Sequence, residues 1–106
     1  MSADTTVVIA CVPNHGMFGE KEYTAEVVQA VENLTTDNPW RLETARAIFL
    51  QRRHPWFVTL GLAKQYANLL AMNARIQGTL EYEGCPIIEI TDDNVFLLSK
   101  KGKRLR

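Results

Sequence analysis

The stretch TTVVIACV, residues Thr5–Val12, decides the fold. It is rich in β-branched residues and apolar on both faces of an extended chain, which is typical of a strand inside a sheet. Pro13 and the glycine-containing loop of residues 14–19 end it. The sequence therefore predicts an interior β-strand at this position.

From Glu20 onward, apolar residues recur at the spacing of a helix: Tyr23, Val27, Ala30 or Val31, and Leu34. Glutamates lie at its start and on the other face, and carboxylates at a helix start are favoured by the helix dipole. This pattern predicts a first helix, which ends in the break NLTTDN of residues 33–38.

Asn38 and Pro39 predict the entrance of a second helix, as an N-cap followed by proline at the first helical position. Its apolar stripe ends near Arg52 and consists of Leu42, Ala45, Ile48 and Phe49. Pro55 stops this helix and begins the next.

The third predicted helix carries two apolar stripes. One comprises Phe57, Leu60, Ala63, Ala67, Leu70 and Ala74, and the other Val58, Leu62, Leu69, Met72 and Ile76. Apolar residues that cover so much of a helix predict burial on most sides. We therefore expect this to be the central helix of the fold.

After Gly78 the pattern is that of short strands separated by turn residues. The strands are predicted at residues 79–82, 85–90 and 95–99. The predicted order is β-α-α-α-β-β-β, an α+β domain with a C-terminal antiparallel meander that the N-terminal strand joins. We expect one domain over residues 1–99 and a basic tail over residues 100–106.

The 24 charged side chains sum to zero but are sorted into blocks of alternating sign. Residues 1–38 carry −5, residues 39–78 carry +5, residues 79–98 carry −5 and the last eight residues carry +5. Such sorting predicts strongly signed faces, which select partners. The alternative is intramolecular, with the acidic hairpin beside the basic helices.

Two groups of cations are candidate phosphate contacts. The first lies on the second predicted helix and its exit: Arg41, Arg52 and Arg53, whereas Arg46 lies off the helix face that Arg41 and Arg52 share. The second is the tail: Lys100, Lys101, Lys103, Arg104 and Arg106. As a flexible arm, the tail would neutralise phosphates in a salt-dependent manner. The alternative for the tail is a solvated terminus. The alternative for the arginines at the end of the helix is a structural role, because cations there interact favourably with the helix dipole.

Residues 63–82 partly fit a helix-turn-helix, with Ala67 at its fifth position and Ala71 at its ninth. Asn73 would then cap a recognition helix and residues 85–99 would form a wing, so that the arrangement resembles a winged helix. One uninterrupted helix is the competing interpretation, and it needs fewer exceptions.

Metal and enzyme hypotheses find little support in the sequence. Cys11, His15, His54 and Cys85 lack the spacing of a zinc site. Cys11 as a nucleophile with His15 as its base is disfavoured, because an apolar strand destabilises a thiolate. A small enzyme remains an alternative only if a pocket gathers His15 or His54 with a carboxylate. No catalytic residue and no cofactor are predicted.

The expected compartment follows from the composition of the chain and from its first residues. The start of the chain lacks a secretion signal, and two cysteines are too few for a disulfide scaffold, so we expect reduced thiols and a cytoplasmic protein. Lys64, Gln65 and Asn68 interrupt the longest apolar stretch, which argues against a membrane span.

The sequence favours a small non-enzymatic binding domain for nucleic acid, through phosphate contacts. The alternative is a protein–protein interaction module, such as an adaptor, an inhibitor or a homo-oligomer, and the zero net charge favours it.

Overall fold

A computed structural model describes residues 5–75 and 85–105 of the chain. Its elements are β1 (Thr6–Val12), β2 (Glu22–Val28), α1 (Glu32–Thr35), α2 (Arg41–Phe49), α3 (Leu60–Asn73), β3 (Ile87–Ile90) and β4 (Val95–Leu98). The strands form one mixed sheet in the order β2-β1-β3-β4. The predicted α+β class, with three helices in the middle of the chain, is confirmed.

Strand β1 lies inside the sheet, as its composition predicts. It pairs antiparallel with β2 along its whole length, from Thr6 opposite Val28 to Val12 opposite Glu22. On its other side it pairs parallel with β3. The N-terminal strand therefore joins the antiparallel β3–β4 pair, as the sequence predicts.

Helices cover both faces of β1. Its residues Val8, Ala10 and Val12 share a core with α1 and α2, which contribute Leu34, Ala45 and Phe49. The alternate residues Val7, Ile9 and Cys11 pack under the alanines of α3. A strand that is apolar on both sides is thus explained by helices in two separate layers.

The helix predicted from Glu20 to Leu34 is wrong over most of its length. Residues Glu22–Val28 form β2, and only Glu32–Thr35 are helical. In this segment Tyr23, Ala25 and Val27 also alternate with a period of two, and all three face α3. Pairing with the whole of β1 decides between the two periods, because it satisfies the backbone groups of both strands.

The second and third helices form close to their predicted positions. Helix α2 begins at Arg41, so its N-cap is Trp40 and the predicted N-cap Asn38 is wrong. The Asn38 side chain instead accepts a hydrogen bond from the backbone N–H of Trp40, ahead of the helix. Before α3, the backbones of Phe57 and Tyr23 exchange two hydrogen bonds of 2.8 Å, which hold the entry segment beside β2.

The C-terminal hairpin joins β3 to β4 through a turn in which the Thr91 hydroxyl accepts hydrogen bonds from the backbones of Asp93 and Asn94. The strand predicted at residues 79–82 lies outside the described residues. So does most of the recognition helix that a helix-turn-helix would require. Helix α3 continues through Ala71, where that motif needs a turn. Among the helices of residues 5–75 and 85–105, none has the length and apolarity needed to cross a membrane.

Candidate functional site

The side of helix α3 that packs on the sheet carries small residues, whereas the side that faces solvent carries large ones. The hydroxyl of Thr59 caps its first turn by accepting a hydrogen bond of 3.2 Å from the backbone N–H of Leu62. Ala63, Ala67 and Ala71, four residues apart, are at most 1% exposed and lie on the β1 and β2 strands. Their small side chains let the helix lie close to the sheet.

The opposite side of α3 carries large apolar residues that nothing in the described chain covers. Leu62 is 44% exposed, Leu69 57% and Met72 67%. Gln65 is also exposed and lies between them. We name Leu62, Gln65, Leu69 and Met72 the α3 seam. Its spacing of three, four and three residues is that of a helix packing against another helix.

The exposed seam corrects the prediction that α3 is buried on most sides. Only the alanine stripe is fully buried, while Leu60, Leu70 and Phe57 are half-buried. Val58, just before the helix, adds another apolar side chain that is 61% exposed. A row of exposed apolar residues on one helix is characteristic of an interaction surface.

Charge is almost absent from this surface. Of the fourteen residues of α3, only Lys64 is charged. Its ammonium group donates a hydrogen bond of 3.0 Å to the backbone carbonyl of Lys100, so the N-terminal half of α3 lies beside the turn that follows β4. Depletion of charge around exposed apolar residues is the composition found at the centres of protein interfaces.

Among the described residues predicted to bind phosphate, Arg41 and Arg104 form contacts within the domain. Arg41 is directed inward, where its guanidinium donates to the Asp37 carboxylate at 3.0 Å and to the Asn94 side-chain oxygen at 2.8 Å. It therefore links α2 to the β3–β4 turn. A cleft of about 520 Å³ lies beside it, between α1 and β4.

The tail is folded along β4 rather than extended into solvent. Gly102, at a φ of 85°, turns the chain, and the Ser99 backbone N–H donates to the Lys103 carbonyl at 2.7 Å. Arg104 then pairs with Leu98 in an antiparallel bridge. Its Nε lies 2.6 Å from a carboxylate oxygen of Glu89, and its guanidinium stacks 3.8 Å from the centre of the Phe96 ring.

Four of the candidate cations point into solvent: Arg52, Arg53, Lys101 and Lys103. Within residues 5–75 and 85–105, the side chains of Arg52 and Arg53 form no ion pair. Lys100 is exposed and has a partner of its own. Arg106 lies outside the described residues. The basic residues are thus divided between the end of α2 and the turn after β4.

Pairs between oppositely signed blocks account for part of the charge sorting. Arg41 lies 3.0 Å from the Asp37 carboxylate, Arg46 lies 3.7 Å from the Asp92 carboxylate, and Arg104 pairs with Glu89. The Arg46–Asp92 pair matches the intramolecular alternative, in which the acidic hairpin lies beside the basic helices.

A second cleft, of about 400 Å³, lies at the carboxyl ends of β1 and β3 and is lined by His15 and Arg46. His15 donates from Nδ1 to the Glu22 carboxylate at 2.8 Å, and its ring lies against that of Trp56. This cleft supplies the histidine and carboxylate that an enzyme would need. Among the described residues, no hydroxyl or thiol hydrogen-bonds to His15.

His54, Cys11 and Cys85 are buried or half-buried. His54, whose side chain is 2% exposed, donates to the Ile48 carbonyl at 2.8 Å and thereby ties down the end of α2. Burial raises the pKa of both Cys11 and Cys85 to about 11. Burial also raises the pKa of Tyr23. In the described part of the chain, no three histidine, cysteine or acidic side chains are placed to hold a metal ion.

No known protein family, curated protein or solved structure matches this chain.

The sequence shows the apolar stripe that contains Leu62, Leu69 and Met72, but its pattern predicts that these residues are buried. The sequence signal for their exposure is the stripe on the opposite side of α3, because all three buried residues of this helix are alanines. A helix that contacts its domain through alanines leaves its larger side chains elsewhere, and these need another partner.

Proposed function

We propose that this chain is a protein–protein interaction module that binds its partner through the α3 seam. The observation that carries the proposal is a row of exposed apolar side chains, at helix-packing spacing, on a helix with a single charge. Burying Leu62, Leu69 and Met72 against another protein would remove this apolar surface from water, which is the main favourable term in association.

The division of the cations also supports this proposal over nucleic-acid binding. Arg41 and Arg104 are engaged in contacts within the domain, so they are poorly available to phosphate groups. A domain that is neutral overall also lacks the excess of positive charge that is typical of dedicated DNA-binding domains.

The test introduces one carboxylate on the seam and one beside it. Leu69→Glu places a charge in the centre of the seam, whereas Asn68→Glu places the same charge on the neighbouring position, about 100° around the helix. Tagged protein is used to capture partners from a nuclease-treated lysate, and circular dichroism checks that each variant is folded.

We expect the wild type and Asn68→Glu to retain the same protein partner and Leu69→Glu to lose it. Equal capture by all three proteins would show that the seam is not the binding surface. A partner that disappears on nuclease treatment would also contradict the proposal, because the contact would then run through nucleic acid.

Nucleic-acid binding remains the second candidate. Arg52 and Arg53 favour it, because both are exposed and neither forms an ion pair with another described residue. If these residues and Lys101 and Lys103 contact a phosphate backbone, the affinity for a generic duplex should fall with salt, with a logarithmic slope of about −0.9 per neutralised phosphate. Changing Arg52 and Arg53 together to glutamine should flatten that slope. Absence of binding at low salt would eliminate this candidate.

A further inference from the structure

We infer that the cleft at the carboxyl ends of β1 and β3 binds a small organic anion, whose carboxylate or phosphate group is held by Arg46. The cleft is separate from the α3 seam, because the helix that lines it is α2, which packs on the opposite face of the sheet. The inference therefore goes beyond the protein–protein interaction module and is tested independently of it.

The order of the strands creates this cleft. Strands β1 and β3 are parallel neighbours, with Ile9 opposite Ile87, so both end at the same edge of the sheet. From there the chain leaves β1 towards β2 on one side and leaves β3 towards β4 on the other. Connections that diverge in this way leave a crevice between them, and in open sheets with parallel strands such a crevice is the usual place for a ligand.

The cleft combines apolar surface with a few polar groups. Its apolar side chains come from both strand ends, from the loop after β1 and from α2: Val12, Pro13, Leu50 and Ile90. Ligand pockets of this size, about 400 Å³, are mostly apolar and use a small number of polar groups to fix the orientation of the ligand. An occupant of this cleft therefore needs an apolar body as well as a polar group.

Arg46 supplies the observation that selects an anion. Of the buried side-chain nitrogens and oxygens in residues 5–75 and 85–105, its Nε alone has no hydrogen-bond partner. A buried N–H without an acceptor is unfavourable, and the edge of a guanidinium that carries Nε matches two oxygens of a carboxylate or phosphate. The side chain as a whole is 42% exposed, so a ligand can approach it, and rotation of this long side chain would bring Nε into the contact.

The carboxylates at this edge of the sheet leave Arg46 available. The Asp92 carboxylate lies 3.7 Å from an Nη atom of Arg46, which is too long for a hydrogen bond, and its side chain is fully exposed. Glu22 accepts a hydrogen bond from His15, and Glu20 accepts one from a backbone N–H of its own loop. Asp92 therefore competes with an anionic ligand for Arg46 without occupying its donors.

His15 adds a second polar contact. Its Nδ1 donates to Glu22, and its ring centre lies 3.8 Å from that of Trp56, so two contacts fix the orientation of the ring. Its Nε2 forms no hydrogen bond with another residue in the described part of the chain. This nitrogen accepts from a ligand hydroxyl when the ring is neutral and donates to a ligand oxygen when the ring is protonated.

Titration of the full chain with four small probes, followed by the NMR signals of the backbone amides and of arginine Nε–H, tests the binding. Benzoate and phenyl phosphate carry an anionic group on an apolar ring, benzamide has the ring without the charge, and inorganic phosphate has the charge without the ring. At least one of the first two should shift the Arg46 Nε–H signal, with a dissociation constant on the order of 1 mM. Benzamide and inorganic phosphate should bind more weakly, and the tighter of the two ring anions distinguishes a carboxylate from a phosphate ligand.

Two pairs of variants test whether the binding depends on this cleft. Arg46→Gln should weaken binding of the tighter probe at least tenfold, whereas Arg52→Gln removes an exposed cation outside the cleft and should leave it unchanged. Asp92→Asn removes the competing charge and should strengthen binding by about 1.5- to 5-fold, the range of exposed ion pairs. Asp93→Asn is its matched control and should have no effect.

Three outcomes would overturn the inference. The first is no binding of either ring anion at ten times the expected dissociation constant, and the second is binding of benzamide as tight as that of benzoate. The third is equal weakening by Arg46→Gln and Arg52→Gln, which would show attraction by overall charge. If Arg46→Gln does not fold, the Asp92 and Asp93 variants decide, because an anion bound elsewhere would not distinguish them.

Discussion

Replacing Arg104 with alanine should destabilise the domain, because this residue fastens the folded tail to the sheet. Its side chain, 48% exposed, holds the Glu89 carboxylate at 2.6 Å and covers the Phe96 ring at 3.8 Å. The Glu89 side chain is only 12% exposed, so removal of the arginine leaves a carboxylate with poor access to water.

The magnitude follows from these two contacts. A half-exposed ion pair contributes at most about 1 kcal/mol after screening by solvent, and a cation stacked on an exposed aromatic ring contributes about 0.5–1 kcal/mol. Together they predict a loss of about 1–2 kcal/mol from the free energy of unfolding. Arg104→Lys should lose about half as much, because a lysine keeps the charge but not the planar stacking.

Urea unfolding followed by circular dichroism measures the effect. A loss of this size would lower the midpoint by roughly 1 M for a domain with a slope near 1–2 kcal/mol per molar urea. Lys103→Ala is the matched control, since it removes a neighbouring exposed cation and should change stability by less than about 0.5 kcal/mol. Equal effects of the two substitutions would refute the folded tail and restore the flexible arm.

Two further predictions concern the core and the thiols. Phe49→Ala should lower the free energy of unfolding, measured in urea, by about 3–5 kcal/mol, because this ring is fully buried. Leu69→Ala, on the exposed seam, should lower it by less than about 0.5 kcal/mol in the dilute protein. Similar losses for the two variants would contradict the assignment of Phe49 to the core and Leu69 to the surface. Burial raises the pKa of Cys11 and of Cys85 from 9.0 to about 11, so above pH 9 the folded chain keeps thiol protons that the unfolded chain loses. The free energy of unfolding should therefore be unaffected by these thiols below pH 9. It should fall by up to about 2–3 kcal/mol per thiol as the pH rises to 11. Both thiols should label slowly until denaturant is added, and rapid labelling of native Cys11 would show that it is accessible.

The sequence predicts the class of the fold better than its individual elements. Residues Thr5–Val12 are identified correctly because a strand apolar on both faces has few alternatives. Residues 22–28 are not, because their apolar positions fit both a helical and a strand period. The choice was made by long-range pairing with β1, which no local pattern contains.

The candidate site shows the same limit. The apolar positions of α3 are evident from the sequence, but hydrophobicity alone does not tell which of two stripes faces the domain. Side-chain size distinguishes them here, since alanines allow the closest approach to the sheet. Similarly, the sequence identifies Arg104 as basic, whereas its contact with Glu89 depends on a turn that reverses the chain at Gly102.

The folded tail has a consequence for how the chain behaves at high concentration. Strand β4 lies at the margin of the sheet, and its sequence, VFLL, is entirely apolar. An edge strand with unpaired backbone N–H and C=O groups is a template to which strands of other chains can add, which leads to aggregation. Natural proteins protect such edges by covering them with other chain segments or by placing lysines on them. The Leu98–Arg104 bridge and the flanking lysines provide such a barrier. A chain cut at Ser99 would keep its core and still be prone to precipitate.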